Sequence, residues 1–91
     1  MDIRAHVLIT GRVQGVFYRA STRDIAEQFG LTGWVKNTSD GRVEAVFEGE
    51  ENSVKNMVKW CYQGPRFSDV LNVKVTYEKF LREFDEFSIK H

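Results

Sequence analysis

The chain has 91 residues, enough for one hydrophobic core and too few for two. Thirteen lysines and arginines balance thirteen aspartates and glutamates, so the net charge is zero and no basic field is present to attract nucleic acid. A 42% apolar, 29% charged composition supports a packed core, one cysteine (Cys61) excludes an internal disulfide framework, and no apolar run approaches the roughly 20 residues of a membrane span.

Ala5-His6-Val7-Leu8-Ile9-Thr10 is rich in β-formers and reads as a largely buried strand. Gly11 to Tyr18 reads as a loop with two glycines four apart. A helix is predicted from Arg19 to Phe29, with Ile25, Ala26 and Phe29 on one face and Gly30 in the position of a terminating glycine. Gly33 to Asn37 is a short strand, and Ser39-Asp40-Gly41 has hairpin-turn chemistry. Val43, Ala45 and Phe47 alternate with Arg42, Glu44 and Glu48, which predicts a half-buried third strand.

From about Glu51 to Gln63, Val54, Met57, Val58 and Cys61 follow helical spacing. Glu50 and Glu51 suit the positive end of that helix, and Gly64-Pro65 ends it. Trp60 and Tyr62 flank the apolar stripe. Val73, Val75 and Tyr77 alternate in a fourth strand, and Phe87 and Ile89 suggest a short final one. The order predicts an α+β, ferredoxin-like β-α-β-β-α-β sandwich, a mostly antiparallel sheet with two helices on one face and a short extra C-terminal strand. Such a plan hosts many functions and decides none.

Gly11 to Arg19 joins a strand to a helix. Its glycines let backbone N–H groups converge where the helix adds partial positive charge, which makes a generic anion cradle. Arg19 and Arg23, one turn apart near a helix N-terminus, are mildly unfavourable there by roughly 0.3–1 kcal/mol each. A bound dianion reverses that sign; a solvated face with two arginines is the competing reading. The order of a Walker loop is absent. Asn37, ending the second strand, is placed to approach the loop, and its amide can hold a water and a phosphoryl oxygen together. A strand-ending Asn before a turn is the alternative. His6 and His91 have no ligand-like spacing, so no metal site is expected. Cys61 on an apolar stripe reads as a buried structural thiol.

Gly11-Arg12-Val13-Gln14-Gly15-Val16-Phe17-Tyr18-Arg19 resembles the first signature of the acylphosphatases, Gly-x-Val-Gln-Gly-Val-x-aromatic-Arg. Gly33-Trp34-Val35-Lys36-Asn37, followed by Gly41, Val43 and Gly49, resembles the second. The likeness extends over the whole chain, 1–91, as one acylphosphatase-like domain. It implies hydrolysis of acyl phosphates, with Arg19 at the phosphate-binding arginine and Asn37 at the asparagine that positions the attacking water. Gln14, Gly15, Val16, Phe17 and Tyr18 correspond to the phosphate cradle. It implies no metal or organic cofactor, a small-molecule acyl phosphate as substrate, and inorganic phosphate or sulfate as competing anions. Neither nucleic acid nor membrane is an expected partner.

The resemblance departs at the end of the chain, where His91 stands instead of a common Tyr; that change is expected to touch neither signature. With no signal-peptide core near Met1, the expected location is the cytoplasm. Two rival functions share the plan. One is a non-catalytic anion-binding domain. The other is an RNA-recognition module, disfavoured because its aromatic strand signature is missing.

Overall fold

The structure, a computed structural model, describes residues 1–91. The elements are β1 (Asp2–Arg12), α1 (Tyr18–Gln28), β2 (Thr32–Asn37), β3 (Val43–Glu50), α2 (Glu51–Gln63), β4 (Asp69–Lys79) and β5 (Phe87–Lys90). They build one sheet in the order β4-β1-β3-β2-β5. All neighbours are antiparallel except β2 and β5, which are parallel. The ferredoxin-like plan therefore stands, with β5 as an added edge strand.

Residue parity sets the faces of this sheet. Ala5, Val7 and Ile9 lie opposite Phe47, Ala45 and Val43, and the same register carries Val35 and Val73 to the same side. Together with Phe87 they meet Tyr18 and Ala26 of α1 and Val54, Met57, Val58 and Cys61 of α2 in one buried cluster. α2 packs on β1, β3 and β4, and α1 on β2 and β5. The ends of β2 and β5 on this helix-facing side are therefore where the N-terminus of α1 arrives.

The termini of α1 differ from the sequence reading. Its buried residues are Tyr18, Thr22 and Ala26, and Phe29 is its partly exposed C-cap rather than a member of the buried face. Gly30 N–H donates to Glu27 O at 3.0 Å and Leu31 N–H to Ala26 O at 2.9 Å, which closes the helix end as the glycine signal suggested. Glu50 caps α2, its carboxylate accepting from Ser53 N–H at 3.1 Å.

Gly11 is not in a loop. It continues β1, with φ 137°, where the ladder to β4 shifts register, and a Cβ there would stand 2.2 Å from Asp69 O. The glycine serves a close approach of two backbones, a need that leaves no trace in the local sequence. Glu48 is a second correction. Alternation predicts a solvated side chain, but it is 1% exposed. Its Oε2 accepts from Leu81 N–H at 2.7 Å and its Oε1 from Glu83 N–H at 3.0 Å, so the segment between β4 and β5 folds across it. Arg4 supplies the countercharge at 3.5 Å.

Candidate active site

The turn from Gln14 to Phe17 carries the chain from β1 into α1. None of the backbone N–H groups from Gly15 to Ala20 donates to a backbone carbonyl, and no side chain caps α1. No acidic residue sits in its first turn. Phe17, the N-cap residue, is left-handed at φ 64°, and Gly15 has φ 75°. Free N–H donors at a helix N-terminus, with no carboxylate beside them, give this end of α1 a partial positive charge.

A cavity of about 290 Å³ opens at this turn, lined by Val13, Gly15, Phe17 to Ala20, Asn37, Ile89 and His91. β1 and β2 are separated by β3 in the sheet, yet Arg19 and Asn37 share this one space. Asn37 follows Gly33 and Val35 on the helix-facing parity of β2, beyond the point where core residues fill it. Its Oδ1 is buried and has no hydrogen-bond partner. A buried acceptor left unpaired costs roughly 1–3 kcal/mol, so an aimed but unspent Oδ1 marks a position for a donor from outside the chain.

The sequence-predicted loop residues divide by role. Gly15 and Phe17 line the cavity. Gln14 does not: its side-chain amide donates to Thr38 O at 2.9 Å and to Arg42 O at 2.8 Å, bracing the turn against the β2–β3 connection. Val16 packs on the core. Tyr18 contributes only its backbone end, since its ring is buried and its hydroxyl donates to Cys61 O at 2.7 Å. Burial pushes the Tyr18 phenol above its ordinary range and the Cys61 thiol up to about 12, so neither is an acid, base or nucleophile at neutral pH.

Arg23 is not part of the cavity. It lines the adjoining groove beside Asp24, Glu27 and Glu86, with Nε 3.6 Å from Asp24 Oδ1. The anticipated pair of arginines thus reduces to Arg19 alone. His91 supplies what the sequence did not foresee. Its Nδ1 lies 3.5 Å from Arg19 Nη1, so the last residue does touch the first signature. β5 brings it there, because Ile89 pairs with Val35 and Lys90 with Lys36. No spacing in the sequence links residues 19 and 91; only the parallel β2–β5 pairing does. His6, by contrast, sits on the other face, with Nε2 2.6 Å from Glu44 Oε2.

A family model described as Acylphosphatase matches residues 5–89. The chain belongs to the acylphosphatase family. It is 57% identical over 90 residues to an acylphosphatase of Roseiflexus sp. (strain RS-1), covering 98% of this chain and 97% of that one. An acylphosphatase of Nostoc sp. (strain PCC 7120 / SAG 25.82 / UTEX 2576) is 61% identical over 77 residues, 85% of this chain and 76% of the other. Among solved structures, the acylphosphatase from Bacillus subtilis superposes with a TM-score of 0.94 at 38% identity, covering 98% of this chain and 99% of its own. Family membership thus joins a cavity whose unspent groups are N–H donors, one guanidinium and one amide oxygen. No helix of the structure is long and apolar enough to cross a membrane.

Proposed function

We propose that this cavity hydrolyses the carboxyl–phosphate bond of acyl phosphates, giving a carboxylate and inorganic phosphate. The observation that carries the mechanism is the unpartnered Asn37 Oδ1 in the same space as Arg19 and the free N–H groups of the turn. The phosphoryl oxygens bind to N–H groups between Gly15 and Ala20 and to the Arg19 guanidinium. Asn37 Oδ1 accepts a hydrogen bond from a water and aims that water's oxygen at phosphorus.

The bond from water oxygen to phosphorus forms as the phosphorus–acyl oxygen bond breaks. The leaving carboxylate keeps the bonding pair, and the water proton passes to a phosphoryl oxygen. A carboxylic acid has a pKa of about 4, so the leaving group departs without a general acid. A loose phosphoryl transition state asks for positioning and for donors to its oxygens, which is what the site offers. Asn37 takes no proton at neutral pH, and neither Tyr18 nor Cys61 is available to do so. A free, buried Cys61 suits a reducing compartment such as the cytoplasm.

The test compares acyl phosphates with a phosphate monoester such as p-nitrophenyl phosphate. Acyl phosphates are expected to turn over far faster, with inorganic phosphate and sulfate competing for the same site. Equal rates on both classes would overturn this reading. Anion binding without turnover of acetyl or benzoyl phosphate would make this a binding domain.

A further inference from the structure

Residues 80–86 carry the chain from the β4 edge of the sheet to its β5 edge, across the face opposite the helices. Residues 80–85 take part in no backbone–backbone hydrogen bond of the turns and loops. Side chains of the sheet hold this strap instead. Arg4 of β1 places Nη1 2.7 Å from Glu83 Oε1 and its guanidinium over the Phe84 ring at 5.3 Å. Glu48 of β3 accepts from Leu81 N–H on Oε2 and from Glu83 N–H on Oε1. The two donors flank Arg82, a non-glycine residue in the left-handed region at φ 50°. A left-handed residue turns the N–H groups on either side of it toward one anion. Beyond them, Gly33 N–H of β2 donates to Glu86 O at 3.1 Å.

Covering the sheet does not call for a carboxylate. Val46, on the same face of β3, is apolar and 2% exposed. Burying an ionised carboxylate carries a desolvation penalty that an apolar residue avoids. Apolar contact is non-directional, however, whereas two charge-assisted bonds to the strap's own backbone fix one position along it. The element that needs fixing is β5. Phe87 and Ile89 both lie on its helix-facing parity, and Phe87 stacks on Phe47 with ring centroids 5.5 Å apart. A slip by two residues would keep an apolar side chain inward, so the pattern of β5 does not choose its own register. A strap pinned at Glu83 leaves only Phe84, Asp85 and Glu86 to reach Phe87, and that length does choose it.

We infer that Glu48 is a positioning residue for the anion site on the other face of the sheet. Its carboxylate pins the strap, the strap sets the register of β5, and β5 holds Ile89 and His91 in the cavity, with His91 beside Arg19. The inference rests on the reading of that cavity as a phosphate site and names a residue that acts on it without touching it. Coupling of this kind is reciprocal: bound phosphate steadies β5 as much as a docked β5 favours phosphate.

The experiment uses the full chain and three variants, Glu48→Gln, Arg82→Pro and Arg82→Gly. Glu48→Gln keeps the shape, removes the charge and turns an amide NH2 toward one strap donor. Arg82→Pro forbids the left-handed φ at an exposed position and leaves Glu48 in place. Arg82→Gly keeps that backbone and both donors. Inorganic phosphate affinity is read by calorimetry well below every melt in circular dichroism, where a residue serving global stability alone would not alter it. Affinity is expected to fall roughly two- to fivefold in Glu48→Gln and in Arg82→Pro, as the population with β5 docked shrinks, and to hold in Arg82→Gly. Amide hydrogen exchange over Phe87–Lys90 should quicken in the first two variants by more than it does over α2, and saturating phosphate should slow it again. Unchanged phosphate affinity in folded Glu48→Gln and Arg82→Pro, or exchange that quickens equally over α2 and β5, overturns the role of Glu48 and leaves acyl phosphate hydrolysis standing. A Glu48→Gln chain that fails to fold passes the test to Arg82→Pro, whose side chain is outside the core. If the wild type binds no phosphate, the reading of the cavity falls, and the exchange arm still decides whether Glu48 sets β5.

Discussion

The Gln14 side chain donates to Thr38 O at 2.9 Å, fastening the turn that carries the anion donors to the residue that follows Asn37. A second bond, to Arg42 O at 2.8 Å, reaches the first residue past the hairpin turn. Two halves of the site that are 23 residues apart in the chain are thus held by one amide. Gln14→Leu removes both bonds, at about 0.5–1.5 kcal/mol each. The expected loss is about 1–3 kcal/mol of stability in chemical denaturation. Turnover should fall further than the phosphate affinity, because the relation between bound phosphate and Asn37 is what loosens.

Asn37→Ala and Arg19→Lys should separate orientation from binding. Asn37→Ala removes the water's acceptor and leaves the donors of the turn in place. Its kcat is expected to drop on the order of 10²–10³, the size of losing one preorganised group, while phosphate affinity by calorimetry stays near wild type. Arg19→Lys keeps charge and loses the planar fork, so it should weaken phosphate binding and slow turnover together. Wild-type kcat in Asn37→Ala would remove the oriented water from the mechanism.

His91→Ala deletes the imidazole beside Arg19. The contact is long, at 3.5 Å, so its worth lies at the low end for a hydrogen bond, about 0.5 kcal/mol. Phosphate affinity is expected to fall about twofold, with kcat nearly unchanged, since the imidazole restrains the guanidinium without taking part in the chemistry. A collapse of kcat in this variant would instead give His91 a direct role in the reaction.

Cys61 is fully buried and its thiol is pushed up to about 12 by burial. A maleimide or iodoacetamide should leave it unmodified in the folded chain at pH 7 and label it only as the chain opens. Labelling rate against denaturant, read by mass spectrometry, should therefore track global unfolding. Activity should survive the reagent under native conditions. Fast native labelling with loss of turnover would show an accessible thiol at the site.

Glu44 gives a pH-dependent stability on the outer face. The His6 contact holds its carboxyl below the ordinary value of 4.5. A carboxyl depressed in the folded state adds stability that is present above the unfolded value and is lost as pH falls through the folded one. Glu44→Gln should thus destabilise the chain at pH 6 by roughly 0.2–1 kcal/mol, the range of a solvent-screened pair. As pH falls through the depressed folded-state value the two chains should converge in thermal melts. A gap that persisted at low pH would assign the loss to packing.

The elements with strict periodicity were plain in the sequence. α2 runs from Glu51 to Gln63 as its apolar spacing predicts, and Glu50 caps it. What escaped were features set by chain segments far away in sequence. Glu48 sits on a solvent-facing parity and is buried because the 80–86 segment folds over it, and that segment has no pattern of its own. Gly11 looks like a loop glycine until the Asp69 backbone is placed against it. In the site, Arg19 and Asn37 were legible through their motifs. The resemblance sets Gln14 in the cradle segment, and its side chain braces the hairpin; helical spacing pairs Arg23 with Arg19, although Arg23 lines the next groove. The approach of His91 depends on a parallel edge pairing, which leaves no local signal.

Strand order also governs how this molecule comes into being. Of the four pairings in the β4-β1-β3-β2-β5 sheet, only β2 with β3 joins neighbours in the chain. Every other pairing closes a long stretch of polypeptide before its contacts repay the lost entropy, so folding should be slow for so short a chain, on the millisecond-to-second scale. The cavity is worse placed still, since its walls come from the β1–α1 turn, the end of β2 and the β5 edge. No fragment that lacks β5 has a complete pocket, and a β2–β3 hairpin formed early holds Asn37 with nothing to aim at. Capacity to bind phosphate should therefore appear late in refolding, with the final docking of the edge strand rather than with the first burst of secondary structure.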